Sequence, residues 1–368
     1  MMTSLPTSIP TTFSPVATHG DQNSTNGNNC SLPEPGEWTY TVVPIYVLVI
    51  AVLGIVFNVF VLMVFCLHKK ACTVAEIYLS NLAAADLVLV SCLPFWAVSA
   101  AKKFNWPFGG SLCKLVNISI TMNVCCSIYF LVLVSIDRYM ALVHPLSHER
   151  LRRPKFAKLG CLLVWALGLL LSVPTLIYRE VKYFPDINTT VCYLNYPNTT
   201  VQLLCEGTLS TLSFIIPISI ISFCTFKIIQ ALNNRLMDGS NSQKKEQKAT
   251  TLVLAVLVAF LICWVPFHLV KIIEWLIRAE VLRRCKLGTV IEICKQIFTY
   301  LAFFNSVLNP ILYVIVGKNF RRKVKELFKQ WSRKRTATLS LTSTRTSTLT
   351  SLSRSVKAAD VSGASTRL

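Results

Sequence analysis

Charge is what this sequence has least of. Only 15% of its 368 residues are Asp, Glu, Lys or Arg, while 53% are apolar and the mean hydropathy is +0.54. Soluble domains carry about a quarter charged residues, so the composition points to a polytopic membrane protein. Acids are scarcer than bases, 17 against 37, and the formal net charge is +20. The placement of that charge argues against a nucleic-acid partner. Residues 1–43 contain no Lys or Arg and carry Asp21, Glu34 and Glu37, whereas from Lys318 onward there are thirteen Lys/Arg and two acids, Glu326 and Asp360. By the positive-inside rule the N-terminus is expected outside and the C-terminus in the cytoplasm.

Other absences narrow the function. The first forty residues are rich in Ser, Thr, Pro and Asn and lack an apolar core segment, so no cleavable signal peptide is expected and the first span must act as the insertion signal. No His-Glu-x-x-His, Gly-x-Ser-x-Gly or paired-Asp arrangement lies in a span, so neither an enzyme nor a metal site is expected. Repeated halves and Gly-broken midplane helices, the marks of a transporter, are missing too. No cysteine follows Cys294, which removes palmitoylation as an anchor for the C-terminal segment.

What is present is a set of seven apolar segments, at 43–68, 74–101, 110–143, 156–178, 203–235, 248–279 and 288–317. Each is long enough to cross ~30 Å of hydrocarbon as a helix. The expected fold is an all-α membrane protein, a seven-transmembrane helix bundle over 43–317. Before it lies a disordered extracellular tail, 1–42, and the sequons at Asn23, Asn29, Asn188 and Asn198 mark outside glycosylation sites. The last two fall in 179–202, the longest outside loop. Basic residues Lys69, Lys70, Arg150, Arg152, Arg153, Lys155, Lys244, Lys245 and Lys248 mark inside loops, although Lys102, Lys103, Arg283, Arg284 and Lys286 fall outside and run against the rule.

After the seventh segment, Phe320, Val324, Leu327, Phe328 and Trp331 recur at helical spacing with Arg321, Arg322, Lys323, Lys325 and Lys329 between them. Residues 318–331 thus read as a short amphipathic helix on the lipids of the inner leaflet. Residues 332–368 read as a disordered cytoplasmic tail, and thirteen Ser/Thr among 336–355 make it a candidate phosphorylation cluster. Of fourteen cysteines, Cys30, Cys113, Cys192 and Cys285 lie on the outer side. An even number in an oxidising compartment suggests two disulfides.

Polar residues inside apolar runs need a reason. Asp86 sits mid-span. Asn123 and Ser127 share one helix face, and Asn305, Ser306 and Asn309 add polar groups late in the seventh run. This set reads equally as a hydrated cation pocket or as a hydrogen-bond network holding helices together. Pro94, Pro174, Pro217 and Pro266 sit inside spans, where each kinks its helix. Asp137-Arg138-Tyr139 closes the third run, where an acid–arginine pair either marks the helix end or serves a switch.

Taken together, these residues resemble the rhodopsin-like G-protein-coupled receptors over about 43–331. The resemblance rests on Asn58, Leu82–Asp86, Cys113, Asp137-Arg138-Tyr139, Trp165, Pro217, Cys263-Trp264-Val265-Pro266 and Asn309-Pro310-Ile311-Leu312-Tyr313. It implies a Cys113–Cys192 disulfide, with Cys30 and Cys285 as the remaining outer pair. It implies a switch built from Arg138, held by Asp137 and Glu246, together with Tyr139, Trp264, Pro266, Asn309, Pro310 and Tyr313. No cofactor is expected; Asp86, Asn123 and Ser127 are the candidate site for an allosteric sodium ion.

Cys66–Lys69, Cys72–Leu79, Asn81–Asp86, Leu93–Ala97 and Tyr313–Lys318 narrow the likeness to the kinin (bradykinin) receptors; Phe104–Gly109 and Leu142–Pro145 resemble the subtype that prefers des-Arg kinins, while Cys66–Lys69, Cys72–Leu79 and the Ser/Thr tail resemble the subtype that prefers the intact peptide. The kinin likeness implies a plasma-membrane receptor for kinin peptides, working through heterotrimeric G proteins of the Gq type, phospholipase C and calcium, with receptor kinases and arrestin at the phosphorylated tail. Angiotensin- or chemokine-like peptide receptors are the alternative. The likeness places ligand contacts at Glu274 and Glu292, with Glu206 and Trp264 beside them. The same two glutamates could instead be rim charges paired with Lys271 or Lys295. The subtype that prefers des-Arg kinins has lysine where Thr121 stands, so the small hydroxyl favours an intact kinin. Two departures stand out: Thr225, where tyrosine is usual, and the missing tail cysteine.

Overall fold

A computed structural model describes residues 38–68, 72–143, 154–236, 243–279, 281 and 288–333. Within them seven helices are long and apolar enough to cross a membrane: Thr39–Leu67, Val74–Ala101, Gly109–Val143, Pro154–Tyr178, Thr199–Ala231, Val253–Arg278 and Ile293–Ile315, numbered here as spans one to seven. At about 1.5 Å rise per residue each exceeds the hydrocarbon thickness. Apolar residues such as Ile45, Leu162, Leu170 and Phe226 stay exposed on the outer surface of the bundle. That distribution suits lipid rather than water as solvent.

The first helix begins at Trp38, five residues before the apolar run marks it. Backbone hydrogen bonding carries the helix beyond the hydrocarbon, so hydropathy alone misses its first turn. Span two starts with a reciprocal cap. Thr73 accepts from the Glu76 amide at 3.3 Å, and the Glu76 carboxylate accepts from the Thr73 amide at 2.8 Å. Small residues set two helix approaches. A Cβ on Gly54 would lie 2.6 Å from Val90 Cγ1, and one on Gly168 would lie 2.6 Å from Cys126 Sγ.

Pro174 ends the regular part of span four. Its first helix stops at Leu171, and a short helix, Val173–Tyr178, restarts it. In span five a π-helical turn, Thr211–Ile215, precedes Pro217. There Tyr129 of span three donates to the Leu212 carbonyl at 2.7 Å, which ties the two spans together at the irregular turn.

The stretch after span four is not an irregular loop. Arg179–Phe184 (β1) and Thr189–Leu194 (β2) form an antiparallel hairpin in which Val181 pairs with Cys192. Alternating Val181 and Tyr183, then Val191 and Tyr193, carried that signal in the sequence, and Asn188 turns the chain with φ of 46°. The hairpin is pinned to the loop after span two, where the Trp106 amide donates to the Thr190 carbonyl at 2.7 Å.

Residues 318–333 form the expected amphipathic helix, but its apolar stripe divides. Phe320 is buried against Phe65, Phe60 and Tyr313, with ring centroids 5.5, 6.1 and 6.2 Å away. Phe328 and Trp331 stay exposed. Lys323, which the sequence places among the surface cations, is buried and donates to Glu76 at 2.9 Å. Glu326 meets His68 at 2.9 Å. The helix is therefore docked on the inner ends of spans one and two by one aromatic plug and two polar pairs. Residues 1–37 and 334–368, with Asn23, Asn29, Cys30, Cys285 and the Ser/Thr-rich tail, lie outside the described residues.

Candidate functional site: a polar axis through the bundle

The outer end is organised by Cys113 and Cys192, which form a disulfide with Cα atoms 5.8 Å apart. It joins the top of span three to β2. Asn117, one turn below Cys113, donates to its carbonyl at 2.7 Å and to Cys192 Sγ at 3.4 Å. Arg179 at the base of β1 donates to Asn117 Oδ1. This guanidinium is buried, its Nε and Nη1 meet no acceptor among the described residues, and burial lowers its pKa to about 10 against an opposing effect from Tyr196. Thr121 lies one more turn down, donating to the Asn117 carbonyl at 3.1 Å and standing 3.4 Å from Thr175.

Across the bundle two of the acids expected to meet a ligand, Glu274 and Glu206, are already engaged. Glu274 takes Lys295 at 2.9 Å and faces Lys271 at 3.6 Å. Glu206 is ion-paired with Arg278 and accepts from Gln202 at 3.1 Å. Glu274 is thus ion-paired with Lys295 and lies beside Lys271. The Glu292 side chain lies outside the described residues, although its helix is described.

Trp264 is buried below this rim, amid Phe260, Phe267 and His268 with ring centroids 5.8, 5.7 and 5.9 Å away. His268 stacks on Phe214 of span five at 4.2 Å and 10°. Sequence reasoning did not single it out, yet its position four residues after Trp264 puts both on one helix face. A separate groove of about 500 Å³, lined by Leu204, Gly207, Thr211, Ile215, Ile272 and Trp275, opens between spans five and six where Leu204 and Ile215 are exposed.

At mid-depth Asp86 is fully enclosed. Its Oδ1 accepts from Asn123 at 2.9 Å and Ser306 at 3.0 Å, and its Oδ2 from Asn309 at 3.0 Å. Three spans converge on one carboxylate, so the network alternative is realised. Asn123 Oδ1 and Ser127 Oγ are buried and make no hydrogen bond among the described residues. Those oxygens beside a carboxylate fit a small hard cation as well. Among the described residues no three of His, Cys, Asp and Glu are grouped to hold a metal ion. Asn58 bridges spans one and seven through the Gly54 and Ser306 carbonyls, each at 2.9 Å.

At the inner end Arg138 Nε donates to Asp137 Oδ2 at 3.0 Å. The Glu246 side chain lies outside the described residues. Tyr139 packs on Phe223, and Tyr313, two residues past Ile311 in the Asn309-Pro310 turn, is buried beside Phe320. Pro266 and Pro310 both sit inside helices. Two of the expected glycosylation sites are exposed: Asn188 at the hairpin tip and Asn198, whose Oδ1 caps the Val201 amide at 2.8 Å. Capping uses only the oxygen, so the Asn198 amide nitrogen stays available.

The chain matches the model of the 7 transmembrane receptor (rhodopsin family) over residues 57–313. It is 46% identical over 293 residues to the B2 bradykinin receptor of Homo sapiens, covering 79% of this chain and 75% of that one. Against the B2 bradykinin receptor of Oryctolagus cuniculus it is 44% identical, covering 85% of each. Against the B1 bradykinin receptor of Macaca mulatta it is 40% identical, covering 87% of this chain and 91% of that one.

Proposed function

The chain belongs to the rhodopsin-family seven-transmembrane receptors, among the bradykinin receptors, and we propose that it is a plasma-membrane receptor for an intact kinin peptide that signals through a Gq-type G protein, phospholipase C and calcium. The observation that carries this reading is identity of 40–46% to bradykinin receptors over most of the chain. The outer polar rim would take the peptide. Thr121 contributes only a hydroxyl there, which leaves room for a terminal arginine, and Glu292 is the acid proposed for its guanidinium. Glu274 and Glu206 reach the ligand only by exchanging Lys295, Lys271 and Arg278.

Peptide contact is relayed through Trp264 and the Pro266 kink to the inner end of span six, a helix with two packings of similar energy. Outward movement there parts Glu246 from Arg138, freeing the arginine for the G protein. A sodium ion at Asp86, with Asn123 and Ser127 supplying neutral oxygens, would favour the resting packing. Receptor kinases and arrestin act on the Ser/Thr-rich tail, and the N-terminus is outside. The test is a calcium assay in transfected cells with intact and des-Arg kinin side by side. A response to intact kinin at lower concentration is expected. Silence to both peptides, with receptor at the surface, refutes the kinin reading.

A further inference from the structure

Spans five and six do not close against each other on their lipid-facing side. The groove of about 500 Å³ between them has Leu204, Thr208, Thr211 and Ile215 along one wall and Ile272 and Trp275 along the other. That volume is in the range of small-molecule sites. The four residues of span five recur at i, i+4, i+7 and i+11, which is one face of a helix, and all of them are exposed. Trp275 Nε1 donates to the Leu203 carbonyl at 2.9 Å, which fixes the indole as part of the far wall. Gly207 lets that indole lie close against span five, since a Cβ there would stand 3.3 Å from the same nitrogen.

Two hydroxyls stand on the exposed wall, and only one of them is satisfied. Thr211 Oγ1 donates to the Gly207 carbonyl at 2.8 Å, whereas the Thr208 hydroxyl makes no hydrogen bond among the described residues. Lipid tails offer it no partner. Its depth narrows the occupant. Span five runs over 33 residues from Thr199, which makes it ~50 Å long at ~1.5 Å per residue against ~30 Å of hydrocarbon. Centred on the membrane, it projects ~10 Å at each end, and Thr208, ~13 Å along the helix from Thr199, lies just inside the hydrocarbon boundary. A ligand for this place needs a polar head at that boundary and an apolar body running inward past Thr211 and Ile215. An acyl chain would lose its rotamer freedom in filling the groove, whereas a fused-ring body is rigid beforehand. We propose that the groove binds a membrane sterol, with its hydroxyl at Thr208, beside Trp275, and its rings along Thr211, Ile215 and Ile272.

The test uses full-length receptor in cell membranes supplied with a photoreactive, alkyne-tagged cholesterol; after irradiation the adducts are mapped by peptide. Adducts are expected on 203–215 and 272–275, well above those on the exposed face of span four around Leu162 and Leu170, and excess untagged cholesterol should suppress them. Thr211→Phe puts a ring into the groove and should remove most of these adducts. Thr208→Val keeps the shape without the hydroxyl and should weaken competition by cholesterol about threefold, the scale of one hydrogen bond in a bilayer. Both variants are read on receptor at the cell surface, with the span-four adducts as internal reference, so a folding defect is not mistaken for a lost site. Even labelling of all lipid-facing spans overturns the site, as does labelling undiminished in Thr211→Phe. Equal labelling of the groove by a phospholipid carrying the same photoreactive group in its acyl chain overturns the choice of a sterol, and unchanged competition in Thr208→Val overturns the polar contact.

Discussion

Replacing Glu76 by alanine is expected to loosen the inner end of the receptor, and the size of the effect follows from two roles of one carboxylate. Its Oε2 caps span two by accepting the Thr73 amide at 2.8 Å and also holds Lys323 at 2.9 Å. Both partners are shielded, with 11% of the Glu76 side chain and 8% of the Lys323 side chain exposed. Loss of a helix cap costs about 1 kcal/mol. Stranding a buried charge costs about 3–5 kcal/mol, but the long Lys323 stem can swing its ammonium towards water or lipid phosphate, so about 2 kcal/mol is the better figure. The single change should therefore cost about 3 kcal/mol, or on the order of 6–9 °C in melting temperature. Lys323→Met in the same molecule removes the stranded charge, and the double variant should lose only about 1 kcal/mol. Thermal melts of the four purified receptors in one detergent close the cycle. A coupling below about 0.5 kcal/mol would refute the claim that this pair docks the 318–333 helix.

Three further outcomes are expected. Arg138→Ala should abolish ligand-evoked calcium while surface expression and peptide binding persist, and a normal calcium response would sink the proposed switch. Asp86→Asn puts an amide where three donors need an acceptor, at a cost of about 1.5–3 kcal/mol in stability; agonist affinity should also lose its dependence on sodium against choline salts, and retained dependence would remove the cation from this site. Non-reduced peptide mapping of surface receptor should recover Cys113–Cys192 and, as proposed for the outer pair, Cys30–Cys285; a free thiol at Cys285 would count against the second bridge.

Much of the fold was legible because a membrane makes strict demands. Backbone groups in hydrocarbon must be satisfied within the segment, so seven long apolar runs leave little choice but seven helices. The cluster at Asp86 could be listed from sequence for a similar reason: carboxylates and amides inside apolar runs must find one another. What periodicity could not supply is which partner each polar group takes. Lys323 looks like any other cation of a basic helix, and only docking against span two turns it into the buried partner of Glu76. Glu274 reads from sequence as a ligand's acid or a paired charge, and only the approach of spans six and seven brings Lys295 to 2.9 Å from it. The hairpin after span four was passed over because its alternation is short, and its register is set by the Cys113–Cys192 link and the Trp106 contact, both far away in sequence. The sequence by itself determined the number and chemical content of the helices, since those follow from transfer between water and lipid. Ion-pair partners, the stack of His268 on Phe214 and the two-sided docking of the last helix were decided by tertiary structure, because they depend on distances of a few ångströms between residues that no local pattern connects.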